Sequence, residues 1–389
     1  MGKFLADRRT EIRVVAAAVG MRLVVYLLSV CILFLFGEFT ETFTFSDFLG
    51  AWTRWDSPHY IDVARYGYGG AIEDGKHLFL VFYPLLPWLL RLLHMFIGDY
   101  RLCGILLSVV CYAVGSLYFY RLTERELGER AAENAVVMLS VFPFSFFFGA
   151  VLTESLFFAI SAAFLYYLRE HRWHLVAMLG FFACLTKVQG VLLAAAVAAE
   201  ILYAERFFTR LKERDWRAIL RKVLLPGFLC AAMLFGLGIY LYINWRVEGD
   251  PFRFLYYQRT HWYNGYLPIW ETISYVAENA LTGICTSVGL SIWVPELVLF
   301  FVWLVWIAYG ICRRLRPVYL TYLIVLFFVT FSSSWLISGG RYTLCALPGF
   351  MLTGEWLAKH ERWKIPAAAI SAMLMTLYLA GYMTGKQVM

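Results

Sequence analysis

The sequence predicts an all-α polytopic membrane protein, and three observations carry that prediction. Hydrophobic residues make up 61% of the 389-residue chain and charged residues only 16%, against about 25% charged in an ordinary soluble domain. Apolar stretches recur along the whole length, giving a mean hydropathy of +0.66, and about 20 such residues cross a bilayer as one helix. The stretches are continuous rather than alternating, so the backbone in lipid is satisfied by helices and not by a closed barrel.

The net charge of +7 would suggest a nucleic-acid partner in a soluble protein. Here the basic residues fall in short turns between apolar runs, the positive-inside pattern, so the expected partner is the bilayer and no nucleic acid. The eight cysteines (Cys31, Cys103, Cys111, Cys184, Cys230, Cys285, Cys312 and Cys345) lie in or beside apolar segments. None forms a Cys-x-x-Cys pair, which argues against a disulfide framework and a thiolate metal site.

Along the chain, Lys3, Arg8, Arg9 and Arg13 place the amino end in the cytoplasm, and the first span, 14–36, lacks a small-residue cleavage signal and reads as a retained helix. A long external loop follows at about 37–101. Within it Ser57 reads as a cap with Pro58 at the first position of a short helix, about 58–66, stopped by Gly67 and Gly69. The apolar piece 78–97 is broken by Pro84, Pro87, Arg91 and His94, which predicts an interfacial or re-entrant helix. Spans are expected at 102–120, 131–149 and 154–168. The apolar run 174–203 is interrupted at Thr186-Lys187-Val188-Gln189-Gly190. A lysine at mid-membrane is costly, so the run is read as two short helices that meet outside and expose Lys187.

Segment 204–222 holds seven Lys or Arg against three acids, interleaved with Phe207, Phe208, Leu211 and Ile219, and is expected to lie on the cytoplasmic leaflet as an amphipathic helix. A span at 223–243, an external loop at about 244–270, a surface segment at 271–290, and spans at 293–312, 317–336, 342–358 and 365–384 complete one transmembrane domain of about 11 spans. This arrangement puts every strongly basic turn on one side. No repeat relates the two halves, which argues against a transporter built from inverted repeats.

The unusual polar residues then collect at the opposite, external side. Trp52, Arg54, Trp55, Asp56, His59, Tyr60 and Asp62 cluster after the first span, with Asp56 at a helix amino end that favours an ionised carboxylate. The plainer reading pairs Asp56 with Arg54 as a cap. Glu154 opens a hydrophobic helix behind Thr153 and could equally be an ordinary first-turn acid. Lys187 with Gln189 could be a snorkelling lysine and its neighbour. Gly249-Asp250-Pro251 with Gln258 and His261 reads as a turn as readily as a binding loop, and Arg341-Tyr342 behind Gly339-Gly340 as an interfacial anchor. Each is ambiguous alone; their agreement on one face argues for a site.

Three blocks together, Arg54-Trp55-Asp56-Ser57-Pro58-His59-Tyr60, Phe82-Tyr83-Pro84-Leu85-Leu86-Pro87, and Pro143-Phe144-Ser145 through Thr153-Glu154-Ser155, resemble the GPI mannosyltransferase II (PIG-V-type) family of the GT-C superfamily. Thr186-Lys187-Val188-Gln189-Gly190, Gly249-Asp250-Pro251 and Arg341-Tyr342 extend the likeness over most of the chain. Lys187 stands where the family more often has arginine, and Gly339-Gly340 where it has a bulkier pair. The compact length implies a bacterial relative, and bacteria do not make GPI anchors.

The resemblance implies a GT-C-type bundle that transfers a sugar, most commonly mannose, from a polyprenyl-phosphate donor to a lipid or glycan hydroxyl outside the cytoplasm. It implies Asp56 as the general base. Arg341, and after it Lys187, would meet the donor phosphate, since a guanidinium grips two oxygens. Glu154 would orient hydroxyls and His59 would support Asp56. Arg54, Trp55, Tyr60, Gln189, Asp250, Gln258, His261 and Tyr342 complete the expected substrate-binding set. Some GT-C relatives use a divalent metal, and Asp56, Glu154, His59 and His261 offer ligand atoms; without a compact ligand signature, a metal-independent enzyme with no cofactor is expected. Eukaryotic relatives imply a possible accessory membrane subunit. The competing expectations are a transporter or flippase for a lipid-linked or polar substrate, using the same carboxylates, and another GT-C branch such as a protein O-mannosyltransferase.

Overall fold

The computed structural model describes residues 2–36 and 43–388, with side chains from Arg9 onward. The start of the predicted external loop, 37–42, and the Lys3 and Arg8 side chains lie outside the described residues. Helices form at α1 (Gly2–Leu35), α2 (Phe45–Ala51), α3 (Ser57–Tyr66), α4 (Leu85–Ile97), α5 (Tyr100–Leu127), α6 (Glu129–Ser140), α7 (Glu154–Arg169), α8 (Trp173–Thr186) and α9 (Gln189–Ala204). The second half adds α10 (Phe207–Lys212), α11 (Trp216–Glu248), α12 (Arg253–Thr260), α13 (Ile269–Thr282), α14 (Gly289–Cys312), α15 (Pro317–Phe331), α16 (Gly339–Thr343), α17 (Leu347–Lys359) and α18 (Lys364–Met383). Among the described residues there is no strand, only the isolated bridges Glu73–Lys76 and Tyr266–Ser333.

Five helices, at Arg9–Leu35, Tyr100–Leu127, Trp216–Glu248, Gly289–Cys312 and Glu361–Met383, are each long and apolar enough to cross a membrane. Shorter apolar helices, α8, α9 and α15 among them, pack between the long ones: α5 lies against α6 and α7, α6 against α17, α8 against α11, and α9 against α15. α4 has 13 residues, about 20 Å at 1.5 Å per residue, and is too short for a core of about 30 Å.

Two segments differ from the sequence reading. The predicted span 131–149 stops at Ser140, and Phe142-Pro143-Phe144 turns into a short 3-10 segment, Ser145–Gly149, that is itself buried. Proline cannot continue the α-helix, and the carbonyls freed by the break need donors. Arg22 supplies them: its Nη1 donates to the Ser145 carbonyl at 2.7 Å and its Nη2 to the Ser140 carbonyl at 3.3 Å. Its guanidinium also lies 4.3 Å from the Tyr112 ring centre. This arginine, wholly buried inside α1, attracted no notice in the sequence. The second difference is the basic segment 204–222. It is not one surface helix: α10 ends at Lys212, Arg214 takes a left-handed φ of 55°, and α11 then continues from Trp216 through a π-helical turn at Leu220–Leu224 into the apolar stretch.

The basic turns gather at one end of the bundle and are held there by ion pairs. Arg121 meets Glu11, Arg125 meets Glu170, Arg130 meets Glu361, and Arg313 meets Glu355. The side chain of Glu200 on α9 is fully buried and accepts from Arg169 and Arg316, each at 2.8 Å, and contacts His171 Nε2 at 3.1 Å. It thereby ties the ends of α7, α9 and α15. Losing Glu200 takes the acid from Arg316 and leaves Arg169 with Glu126 alone, so Glu200→Ala is expected to lower stability by about 3 kcal/mol. Thermal unfolding in detergent measures this.

At that other end the connecting segments are stitched to one another. Leu267 N–H donates to the Ser332 carbonyl and Ser334 N–H to the Gly265 carbonyl, both at 2.9 Å. Ser333 Oγ donates to Asn264 Oδ1 at 2.7 Å. The loop before α13 and the loop before α16 are therefore joined to each other over the helix ends.

Candidate active site

Asp56 reaches its place through a chain of buried aromatic contacts. Trp52, buried completely, donates from Nε1 to Ser29 Oγ of α1 at 3.1 Å and meets the Tyr26 ring edge-on at 4.8 Å. Tyr26 OH in turn donates to the Gly149 carbonyl at 2.8 Å. The backbone then passes through Trp55 at φ 59°, a left-handed conformation that costs a bulky residue about 1–2 kcal/mol. Such strain is retained where the surroundings demand a particular direction. Its effect is to turn the next residue, Asp56, into the interior as α3 begins. The helix starts one residue earlier than expected, and Asp56 occupies the cap position without using its side chain as a cap. Gly67, at φ 71°, ends α3 as the sequence suggested.

The Asp56 side chain instead accepts at Oδ2 from Arg341 Nη1, 2.8 Å away. The same guanidinium donates from Nε to Glu154 Oε1 at 2.8 Å, and Lys187 Nζ donates to that oxygen at 2.9 Å. Four residues separated by up to 285 positions thus form one network of two cations and two anions. Its members are not equivalent: the Glu154 side chain is fully buried, whereas Asp56 is 30% exposed. Glu154 therefore acts as the inner brace and Asp56 is the carboxylate open to a ligand.

Lys187 enters because the interruption between α8 and α9 is a sharp reversal, with Lys187 itself extended. Gly190 makes that reversal close, since a Cβ there would collide with the Ala183 backbone. The ammonium also sits 5.5 Å from the Tyr342 ring centre. The first helix turn of α7 places Glu154 facing it; Thr153 makes no side-chain cap.

Asp56, Lys187, Arg341 and Tyr342 line a cavity of about 430 Å³. Beside it lies a second chamber of about 600 Å³ walled by Phe254, Leu255, Tyr266, Phe328 and Val329. The two share Val81, Tyr83, Val188, Gln189, Gln258, Asn264 and Tyr342. A charged compartment thus opens beside an apolar one. Within the first, Trp55 Nε1 and Gln189 Oε1 are buried without a hydrogen-bond partner among the described residues. Buried polar atoms are normally paired, so these two are left for water or a ligand to satisfy.

Several comparisons bear on what this arrangement is. The family described as dolichyl-phosphate-mannose-protein mannosyltransferase matches residues 83–235. The crystal structure of ArnT from Cupriavidus metallidurans bound to undecaprenyl phosphate superposes with a TM-score of 0.52 at 14% identity, covering 87% of this chain and 76% of that one. The apo form of the same protein gives a TM-score of 0.52 at 14% identity, covering 87% of this chain and 75% of that one. The chain has a GT-C fold. No curated protein sequence matches it significantly.

Within this GT-C fold the matched stretch contains Glu154 and Lys187, while Asp56 and Arg341 come from outside it. Of the residues expected from sequence, Trp55, Asp56, His59, Tyr60, Lys187, Gln189, Gln258, Arg341 and Tyr342 line the cavity, and Glu154 braces it from behind. Three lie elsewhere. Arg54 turns away from Asp56 and donates to the carbonyls of Ala51 and Met383 at 3.2 and 2.8 Å, which fastens the loop to α18. Asp250 is exposed and caps its own turn, accepting from Phe252 N–H at 2.9 Å. His261 is exposed, and its neighbour Trp262 supplies the wall instead. His59 does line the cavity, but its ring lies on Phe79 and Phe82, at 4.6 and 5.5 Å, and among the described residues it makes no hydrogen bond to Asp56.

The possible metal-ligand set of Asp56, Glu154, His59 and His261 does not converge, and among the described residues no three His, Cys, Asp or Glu side chains gather in a metal-binding group. Ser338, which opens the Gly339-Gly340-Arg341-Tyr342 cluster, lines the cavity too, and sequence reasoning missed Trp335 and Gln387, which also line it. They sit in connecting segments with no motif, and only chain packing brings them there.

Proposed function

We propose that this protein is an inverting glycosyltransferase, most naturally a mannosyltransferase, that uses a polyprenyl-phosphate sugar at the non-cytoplasmic membrane face. One observation carries the reading: a single guanidinium, Arg341, links the open carboxylate Asp56 to the buried Glu154 on the wall of a polar cavity that adjoins an apolar chamber. That pairing suits a substrate with a charged phosphate and sugar at one end and a hydrocarbon chain at the other.

In this reading the donor phosphate takes over Nη1 of Arg341 and approaches Lys187, and Asp56 is released to face the acceptor. The acceptor oxygen attacks the anomeric carbon from the face opposite the phosphate. The new carbon–oxygen bond forms as the bond to phosphate breaks, the hydroxyl proton passes to Asp56, and polyprenyl phosphate leaves with both bonding electrons. Its phosphate is already acidic, so no general acid is needed. The cations stabilise the charge that develops on it. Trp55 and Gln189 offer a donor and an acceptor for sugar hydroxyls, and the apolar chamber holds the prenyl chain so that little freedom remains to be lost at the reaction.

The likeness to ArnT, crystallised with undecaprenyl phosphate, supports a lipid-phosphate donor. The match to a mannosyltransferase family supports mannose. The basic turns at the far end of the bundle support an external site through the positive-inside rule. Purified protein in detergent or vesicles, given radiolabelled polyprenyl-phosphate mannose and a membrane lipid extract, should form a labelled product and release polyprenyl phosphate. Flipping of the lipid without any new glycosidic bond would overturn the proposal in favour of a transporter.

A further inference from the structure

We propose that Glu296 is a positioning residue for Arg341, holding the backbone of the short α16 helix so that the guanidinium falls between Asp56 and Glu154. The inference deepens the function just proposed and rests on it for its kinetic consequences. Glu296 lies near the start of α14, 2% exposed. Among the described residues it has no ion pair, and its Oε2 has no hydrogen-bond partner. A buried carboxylate without a cation is costly, so its location calls for a use.

That use is visible at its other oxygen. Glu296 Oε1 accepts from Gly339 N–H at 2.6 Å, a short bond to the first residue of α16. Arg341 follows two residues later. The back of α16 is tied to the same helix: Trp303 donates from Nε1 to Thr343 Oγ1 at 2.9 Å. Residues 296 and 303 are seven apart and share one face of α14, so that face fixes α16 at both ends.

The fit also accounts for the glycine pair. A Cβ on Gly339 would collide with the Glu296 carboxylate, and one on Gly340 with the Phe144 ring. Gly339-Gly340, unusual beside the family resemblance, is thus the complement of Glu296: the small residues let the carboxylate and the ring approach the backbone directly. An arginine has four rotatable bonds, and it is the placement of its Cα that decides whether one guanidinium reaches both acids.

The test uses the full-length protein in detergent, with Glu296→Ala, Glu296→Gln, Gly339→Ala, Arg341→Ala and the double variant Glu296→Ala/Arg341→Ala. In Glu296→Ala the amide exchange of segment 338–343 should speed up about tenfold and donor KM should rise about tenfold, with kcat changed far less. Glu296→Gln keeps an acceptor for Gly339 and should stay near wild type in both. Gly339→Ala keeps the carboxylate but displaces α16, and should reproduce the raised KM. In the Arg341→Ala background, adding Glu296→Ala should change KM less than about twofold, because the group being positioned is gone.

Unchanged exchange in Glu296→Ala, or an equal KM penalty with and without Arg341, overturns the inference. If the wild-type protein transfers no sugar, the proposed reaction falls instead. The exchange rates, with binding of undecaprenyl phosphate to the same variants, still decide the role of Glu296.

Discussion

Asp56→Asn is expected to abolish most of the turnover, lowering kcat by about 10²- to 10⁴-fold while donor KM stays within about threefold. The substitution keeps the shape of the side chain and an oxygen for Arg341 Nη1, so the network that now measures 2.8 Å can persist. What it removes is the capacity to take the acceptor proton. The alternative candidate, Glu154, is a poorer base on geometric grounds, because it is fully buried and both Arg341 and Lys187 already donate to one of its oxygens. Single-turnover transfer from radiolabelled polyprenyl-phosphate mannose, with thermal unfolding as a check on folding, measures the effect. A folded Asp56→Asn protein that turns over at the wild-type rate would remove Asp56 from the chemistry.

Arg341→Ala is expected to act chiefly on the donor, raising its KM about 30- to 100-fold through loss of charge-assisted bonds to phosphate. It should also reduce stability. Without the guanidinium, Glu154 retains only Lys187 and Asp56 loses its partner, and breaking a buried charge network costs about 3 kcal/mol. Arg341→Lys restores a charge but not a planar fork that reaches two carboxylates, so it should recover stability in part and donor affinity less. The contrast with Asp56→Asn is the informative measurement. Equal effects of the two variants on donor affinity would undo the division of roles between base and phosphate ligand.

Much of the architecture was legible from the chain alone, for a simple physical reason. In lipid the backbone must satisfy itself, so continuous apolar runs become helices wherever they are long enough, and α1, α5, α11, α14 and α18 follow directly. Local signals were equally readable: Gly67 ends α3, and the charged break at Lys187 divides α8 from α9. Errors arose where a local rule was overruled by packing. The apolar content of 131–149 hid the break at Pro143, because the turn beyond it is buried and takes its hydrogen bonds from Arg22. The basic face of 204–222 concealed that its second half continues into a long helix.

The site divides in the same way. The residue types and their appearance at one end of the helices were readable, since charge inside a bilayer is costly and the basic turns mark the opposite end. Which of these residues meet was not. Arg54 and Asp56 are two positions apart, yet the left-handed Trp55 sends them to different neighbours, Met383 and Arg341. Asp250 and His261 carry suitable chemistry but are exposed, while Gln258 and Trp262 between and beside them line the cavity.

By itself, then, the sequence determined a helical membrane protein with its unusual polar side chains at one end, because hydrophobicity and helix-ending residues act over short range. Only the tertiary structure decided that Arg341 bridges Asp56 and Glu154, that Lys187 shares the same oxygen, and that Glu296 stands behind the glycine pair. Those pairings are made across as many as 285 residues of chain. They depend on helix packing angles and on a few close backbone approaches, and neither leaves a periodic signal in the order of the residues.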